Sequence, residues 1–109
     1  MSCEAIDYSF YGEGEYTLLD FMEKYSHGDD VRTVQGLIYR DRGQIKKNER
    51  PPRIMDLDAL PMANKDLLLF RERYRAKLGA IMTSRGCPYK CAFCATVPLW
   101  GKQVGFRSA

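Results

Sequence analysis

Three cysteines within eight residues constrain this chain more than any other feature: Cys87, Cys91 and Cys94 in the run Gly86-Cys87-Pro88-Tyr89-Lys90-Cys91-Ala92-Phe93-Cys94. A CxxxCxxC loop puts three soft sulfur donors on one short piece of backbone, and thiolates are the ligands that cubane iron-sulfur clusters take. The spacing is neither the ferredoxin CxxCxxCxxxCP run nor the paired CxxC knuckles or added histidines of structural zinc sites. The other candidates for a fourth ligand, Cys3 and His27, lie at least sixty residues upstream and in no knuckle. One iron of such a cluster would therefore stay open. Zinc and inert buried thiols are the alternatives. A disulfide framework fits poorly, because three of the four cysteines share one loop and no secretory signal is legible. Cys3 reads as an incidental thiol.

Length and composition exclude several classes. The 109 residues are one ordinary domain's worth, and 45% hydrophobic content is normal for a folded domain. Apolar runs such as Leu67-Leu68-Leu69-Phe70 fall far short of the roughly 20 residues that cross a bilayer. No membrane span is expected, and the expected location is the cytoplasm. From Arg71 to Ala109 there are eight basic residues against the single acid Glu72, so that half carries +7 and the half before it −4. Nucleic acid is not the expected partner, since the basic residues are not interleaved with stacking aromatics. An anionic thiolate-ligated cluster offers Arg85 and Lys90 a nearer partner, and Arg71 to Lys77 reads as a solvated face.

The first part of the chain reads as strand, glycine turn and helix. Ala5 to Phe10 is a short apolar stretch, followed by Gly12-Glu13-Gly14-Glu15 and an amphipathic segment. Leu18, Met22 and Tyr25 form its expected inner face, flanked by Leu19 and Phe21, with His27-Gly28 as the stop. Val34 to Arg40, the turn Asp41-Arg42-Gly43 and Gln44 to Lys47 have the pattern of a β-hairpin. Arg50-Pro51-Pro52-Arg53 and Leu60-Pro61 are stiff connectors that neither continue a helix nor serve a ladder. Asn64 to Lys77 is expected to form a helix with Leu67, Leu68 and Phe70 inward. The glycine turn by itself is a weak ligand signal: Glu13 and Glu15 discourage an anion, and GxG without a third glycine is no dinucleotide fingerprint.

The cysteine run with Ile81-Met82-Thr83-Ser84-Arg85-Gly86 before it and an aromatic residue before the last cysteine resembles the signature of the radical S-adenosylmethionine (radical SAM) enzymes. The resemblance implies that Cys87, Cys91 and Cys94 hold a 4Fe-4S cluster, that its open iron takes the amino and carboxylate groups of S-adenosylmethionine, and that Phe93 lies near the adenine. Reductive cleavage of S-adenosylmethionine would then give methionine and a 5'-deoxyadenosyl radical. The order Gly12-Glu13-Gly14-Glu15, Thr17-Leu18-Leu19, Gly36 to Arg40, Arg50-Pro51-Pro52 and Asp56 to Pro61 is similar to the stretch ahead of the cysteine motif in cobalamin-binding radical SAM proteins. By that likeness Gly12, Glu13, Gly14 and Glu15 would sit near the cobalamin nucleotide tail.

The implied fold is α/β. It comprises the last βα unit of a Rossmann-like cobalamin-binding domain with a β-hairpin and connector over 1–62, a linker helix over 63–78, and the first strand (Ala80 to Ser84) and cluster loop of a partial TIM-like radical SAM barrel over 79–109. Several features depart from the family's pattern. Only the last of the βα units a Rossmann-like domain needs would fit before Asp56, no DxHxxG motif occurs, and Gly105 stands where the family often has an arginine. His27 reads as a helix C-terminal cap. The chain is thus expected to be a fragment of a radical SAM enzyme, inactive by itself.

In the complete protein the resemblance implies cobalamin-dependent methyl transfer or oxidative cyclisation. The substrate would be a small molecule, a lipid or a tetrapyrrole-like compound, and flavodoxin or ferredoxin the electron donor. Two other readings stand beside it: a methylthiotransferase-like radical SAM enzyme without cobalamin, and a non-catalytic metal-binding interaction module. A methylthiotransferase would bring three more cysteines, which Cys3 alone does not supply.

Overall fold

The computed structural model describes residues 5–70, 72–73 and 81–109. Strand β1 (Tyr8–Phe10) leads through Gly12 and Gly14 into helix α1 (Glu15–His27), and a 3-10 turn over Val31–Thr33 precedes the hairpin of β2 (Leu37–Asp41) and β3 (Gln44–Lys47). The three strands form one antiparallel sheet with β2 in the centre, in the register Tyr8 opposite Tyr39, Phe10 opposite Leu37 and Ile38 opposite Lys47. The hairpin turn has positive φ at both Arg42 (47°) and Gly43 (80°), the pairing that matches the twist of the flanking strands. The expected hairpin is therefore present, although its first strand begins at Leu37 rather than Val34.

Helix α1 carries Glu15 in its first turn and Lys24 and His27 in its last, the charge order its dipole favours. The His27 ring Nδ1 lies 2.7 Å from the Glu23 carbonyl, in keeping with a C-terminal capping role. The buried face of the helix differs from the expected one. Phe21 and Thr17 point inward, while Leu18, Met22 and Tyr25 are about half exposed or more. Three short strands offer too narrow a surface to cover a wide apolar stripe, so only one column of the helix finds cover. Phe21 fills it, edge-on to Tyr8 and Phe10 with ring centroids 5.1 and 5.2 Å away. Val31, Val34 and Leu37 complete this core.

A second small core, Ile54, Leu57 and Leu60, is built by the connector itself. Beyond it the described part of the expected linker helix holds the 3-10 turn Lys65–Leu67 and 3-10 conformation again at 72–73, and Leu67, Leu68 and Phe70 are exposed rather than inward. The rest of that helix, 71 and 74–78, lies outside the described residues, as does Ala80 of the expected first barrel strand. Strand β4 (Ser84–Arg85) is followed by the cysteine loop, the short helix α2 (Thr96–Trp100) and strand β5 (Gly105–Phe106). β4 pairs antiparallel with β5, Ser84 opposite Phe106 and Arg85 opposite Gly105. Both sheets among the described residues are thus small and antiparallel.

The connector is a strut rather than a loose linker. The Arg50 side chain donates to the carbonyls of Pro98 (2.9 Å) and Leu99 (2.5 Å), satisfying acceptors that the end of α2 leaves unpaired. Arg53 donates to Gln103 O (2.8 Å), Arg107 to Leu60 O (3.1 Å), and the Ser108 amide to the Asp58 carboxylate (3.0 Å). Gly105 packs against this strut. A side chain there would place its first carbon 2.9 Å from the Met55 carbonyl oxygen, so the position has no room for an arginine.

Candidate metal centre

The cysteine loop is pinned at both ends. Its entrance, Gly86, has φ +106°, and a Cβ there would lie 2.0 Å from the Gln103 carbonyl oxygen. Next to it the Cys87 amide donates to Gly101 O (3.4 Å), and the Arg107 amide donates to Thr83 O (2.8 Å). At the exit the Cys94 amide donates to Cys91 O (3.1 Å), closing a turn over the last CxxC. Cys87 and Cys94 are half-buried and Cys91 is exposed, all three with free thiols. The Thr96 hydroxyl lies 3.1 Å and its amide 3.5 Å from Cys94 Sγ. As donors to a thiolate these two groups lower the Cys94 pKa below its ordinary value.

The loop carries the three predicted ligands without gathering them: among the described residues no group of three or more His, Cys, Asp or Glu side chains is close enough to hold a metal ion. The donor set itself suits an iron-sulfur cluster, since three free thiols lie on one accessible loop and one of them is already biased toward the thiolate. Phe93 is 94% exposed. Lys90 is exposed as well, and Cys3 lies outside the described residues.

Arg85, two residues before Cys87, points away from the loop. Its guanidinium pairs with the Glu13 carboxylate (3.3 Å) and with Glu15. The other Glu13 oxygen accepts from the Ile54 amide at 2.6 Å, and the Glu13 side chain is 3% exposed against 14% for Arg85. Gly12 to Glu15 thus forms a loop whose carboxylates are turned onto the downstream half of the chain. The opposite net charges of the two halves were the sequence signal for this contact. Assigning Arg85 to an anionic cluster overlooked the nearer carboxylates. The residues that sequence reasoning missed are the connector arginines Arg50 and Arg53, whose acceptors are backbone carbonyls that leave no trace in residue type.

Beside Arg85 a cavity of about 540 Å³ opens between Tyr16 and Leu19 of α1, Leu60 and Pro61 of the connector, and Ile81 and Met82. It is mainly apolar in its lining residues, with Glu15, Arg85, Lys65 and Arg107 as the charged ones.

The Glu15 pairing has a consequence in acid. The Arg85 hydrogen bond holds the Glu15 carboxyl below its ordinary pKa. A depressed folded-state pKa contributes stability above the unfolded value of about 4.3, and that contribution is lost as pH falls through the folded value. Denaturant midpoints measured from roughly pH 6 to pH 3 are expected to fall less steeply below about pH 4.3 in Glu15→Gln than in the parent chain. Parallel curves would contradict the pairing.

Comparison with known proteins finds relatives over nearly the whole chain, while no family model matches it. The chain is 35% identical to an uncharacterized methyltransferase of Pyrococcus horikoshii, over 93% of this chain and 22% of that protein. It is 29% identical to the anaerobic magnesium-protoporphyrin IX monomethyl ester cyclase of Synechocystis, over 89% of this chain and 20% of that protein. It is 27% identical to the cytidylyl-2-hydroxyethylphosphonate methyltransferase of Streptomyces wedmorensis, over 94% of this chain and 25% of that protein. The chain spans about a fifth to a quarter of the length of these relatives. Among the described residues no helix is long and apolar enough to cross a membrane.

Proposed function

We propose that the chain belongs to the radical SAM superfamily, in the subgroup whose members carry a cobalamin-binding domain, as its likeness to the methyltransferases and the cyclase supports, and that Cys87, Cys91 and Cys94 are the thiolate ligands of a 4Fe-4S cluster. The observation that carries this reading is three free thiols in CxxxCxxC spacing on one accessible loop. When bound, the cluster supplies the electron that splits S-adenosylmethionine into methionine and a 5'-deoxyadenosyl radical. The chain's own part is to present the sulfurs: Gly86 lets the backbone turn against Gln103, Gly101 receives the Cys87 amide, and Thr96 steadies the Cys94 thiolate. Phe93, whose ring is free of packing, would cover the adenine of S-adenosylmethionine.

The whole protein, on this reading, uses the radical for cobalamin-dependent methyl transfer or oxidative cyclisation, in keeping with the two methyltransferases and the cyclase among its relatives. The backbone of Gly12 and Gly14 would flank the cobalamin nucleotide tail, with the Glu13 and Glu15 side chains turned the other way. The substrate would be a small molecule, a lipid or a tetrapyrrole-like compound, and a flavodoxin or ferredoxin would deliver the electron in the cytoplasm.

Anaerobic reconstitution with iron and sulfide tests the reading. About four irons per chain and an absorption band near roughly 400 nm are expected, the region of thiolate-to-iron charge transfer. Stoichiometric zinc uptake without that band would overturn it.

A further inference from the structure

Glu13 stands in a motif that the family resemblance assigns to a cofactor tail, yet its carboxylate is engaged with the chain itself. One oxygen takes the Ile54 amide and the other takes Arg85 Nη1, while Arg85 reaches Glu15 with Nη2 and donates from Nε to Met82 Sδ. Three elements far apart in sequence meet there: the loop before α1, the connector and strand β4. The contact is sheltered, with 3% and 14% of the Glu13 and Arg85 side chains exposed, so water screens it less than it would a surface pair. Arg85 is followed directly by Gly86 and Cys87. Gly86 abuts the Gln103 carbonyl with no space for a side chain, and Cys87 is held to Gly101 O. Any displacement of Arg85 therefore passes to Cys87 through backbone that has nowhere to yield.

We infer that Arg85, clamped between Glu13 and Glu15, is a positioning residue that fixes the entrance of the cysteine loop, and with it the Cys87 sulfur, against the Gly12-to-Glu15 loop. The inference rests on the ligand role proposed for Cys87. It adds a mechanical link: the loop proposed for the cobalamin tail and the loop proposed for the cluster share one ion-pair network. The flat two-pronged guanidinium is needed for this, because it bonds two carboxylates at once while an ammonium is a point charge.

The test uses the full-length protein that carries this chain, with two readouts. In the cluster-free protein, alkylation of Cys87 is followed by mass spectrometry. In the reconstituted protein, iron content and the electron paramagnetic resonance spectrum of the reduced cluster are recorded with and without S-adenosylmethionine. Arg85→Met is expected to speed Cys87 alkylation about tenfold and to require about tenfold more S-adenosylmethionine for the spectral change, a loss of the size typical for coupled sites. Iron content is expected to stay close to that of the parent, since all three cysteines are present. Arg85→Lys should recover part of both effects, and Lys102→Met, an exposed charge with no such contact, should change neither.

Unchanged alkylation and an unchanged spectral response in Arg85→Met would overturn the inference. If Arg85→Met does not fold, Glu15→Gln, which leaves the buried Glu13 pair in place, decides by the same labelling: faster Cys87 alkylation supports the clamp, and an unchanged rate overturns it. A parent protein that takes up no cluster would sink the proposed function, while the Cys87 labelling would still decide the clamp.

Discussion

Gly86→Ala is expected to dismantle the entrance to the cysteine loop. The new Cβ would lie 2.0 Å from the Gln103 carbonyl oxygen and 3.0 Å from its carbon, at a φ of +106° that side-chain-bearing residues rarely adopt. Both contacts are backbone, so no flexible side chain can swing aside, and relief requires β5 to move off β4. The two strands share only two residue pairs, and their bond from the Arg107 amide to Thr83 would go with them. A cost of about 3 kcal/mol or more follows from forced overlap added to an unfavourable dihedral. Hydrogen exchange at the Arg107 amide should accelerate at least about a hundredfold, the factor to which such a cost corresponds. Gly14→Ala is the control, since nothing lies within 4 Å of a Cβ there, and it should shift stability by no more than about 0.5 kcal/mol. Equal protection of Arg107 in both variants would refute the close approach.

Cys91→Ala should separate metal binding from folding. Cys91 is the exposed member of the three, and its one bond in the loop uses its backbone carbonyl, which alanine keeps. Loss of the thiol should therefore leave the denaturant midpoint of the cluster-free chain within about 0.5 kcal/mol of the parent. A cluster left with two thiolates has no stable seat on this loop, so the band at about 400 nm should disappear on reconstitution. An intact band in Cys91→Ala would remove Cys91 from the ligand set. A collapsed midpoint would mean that the thiol is structural.

How legible each part was depended on whether its cause was local. The strand, glycine turn and helix over residues 8–27 and the Arg42-Gly43 hairpin follow from short-range pattern and turn chemistry, and they are present. The choice of helix face was not local. Leu18, Met22 and Tyr25 have the right period, but a helix buries the column for which the sheet has room, and here that is Phe21 with Thr17. Asn64 to Phe70 has helical composition, yet its described part makes only one 3-10 turn. Its side chains Leu67, Leu69 and Phe70 are largely exposed there, and tertiary packing supplies most of a helix's stability.

The candidate site divides the same way. The ligand set and its spacing are properties of nine consecutive residues, so the sequence alone determined them: thiolate chemistry depends on which donors can reach one ion, and a short loop guarantees reach. The sequence also carried the opposite charges of the two halves. Only the tertiary structure decided where that attraction is spent. Arg85 sits three residues from Met82 and four from Ile81, but seventy-two from Glu13, and no periodicity links positions that far apart. The connector brings them together through Ile54, Arg50 and Arg53, because buried carboxylates and helix-end carbonyls must find donors wherever the folded chain offers them.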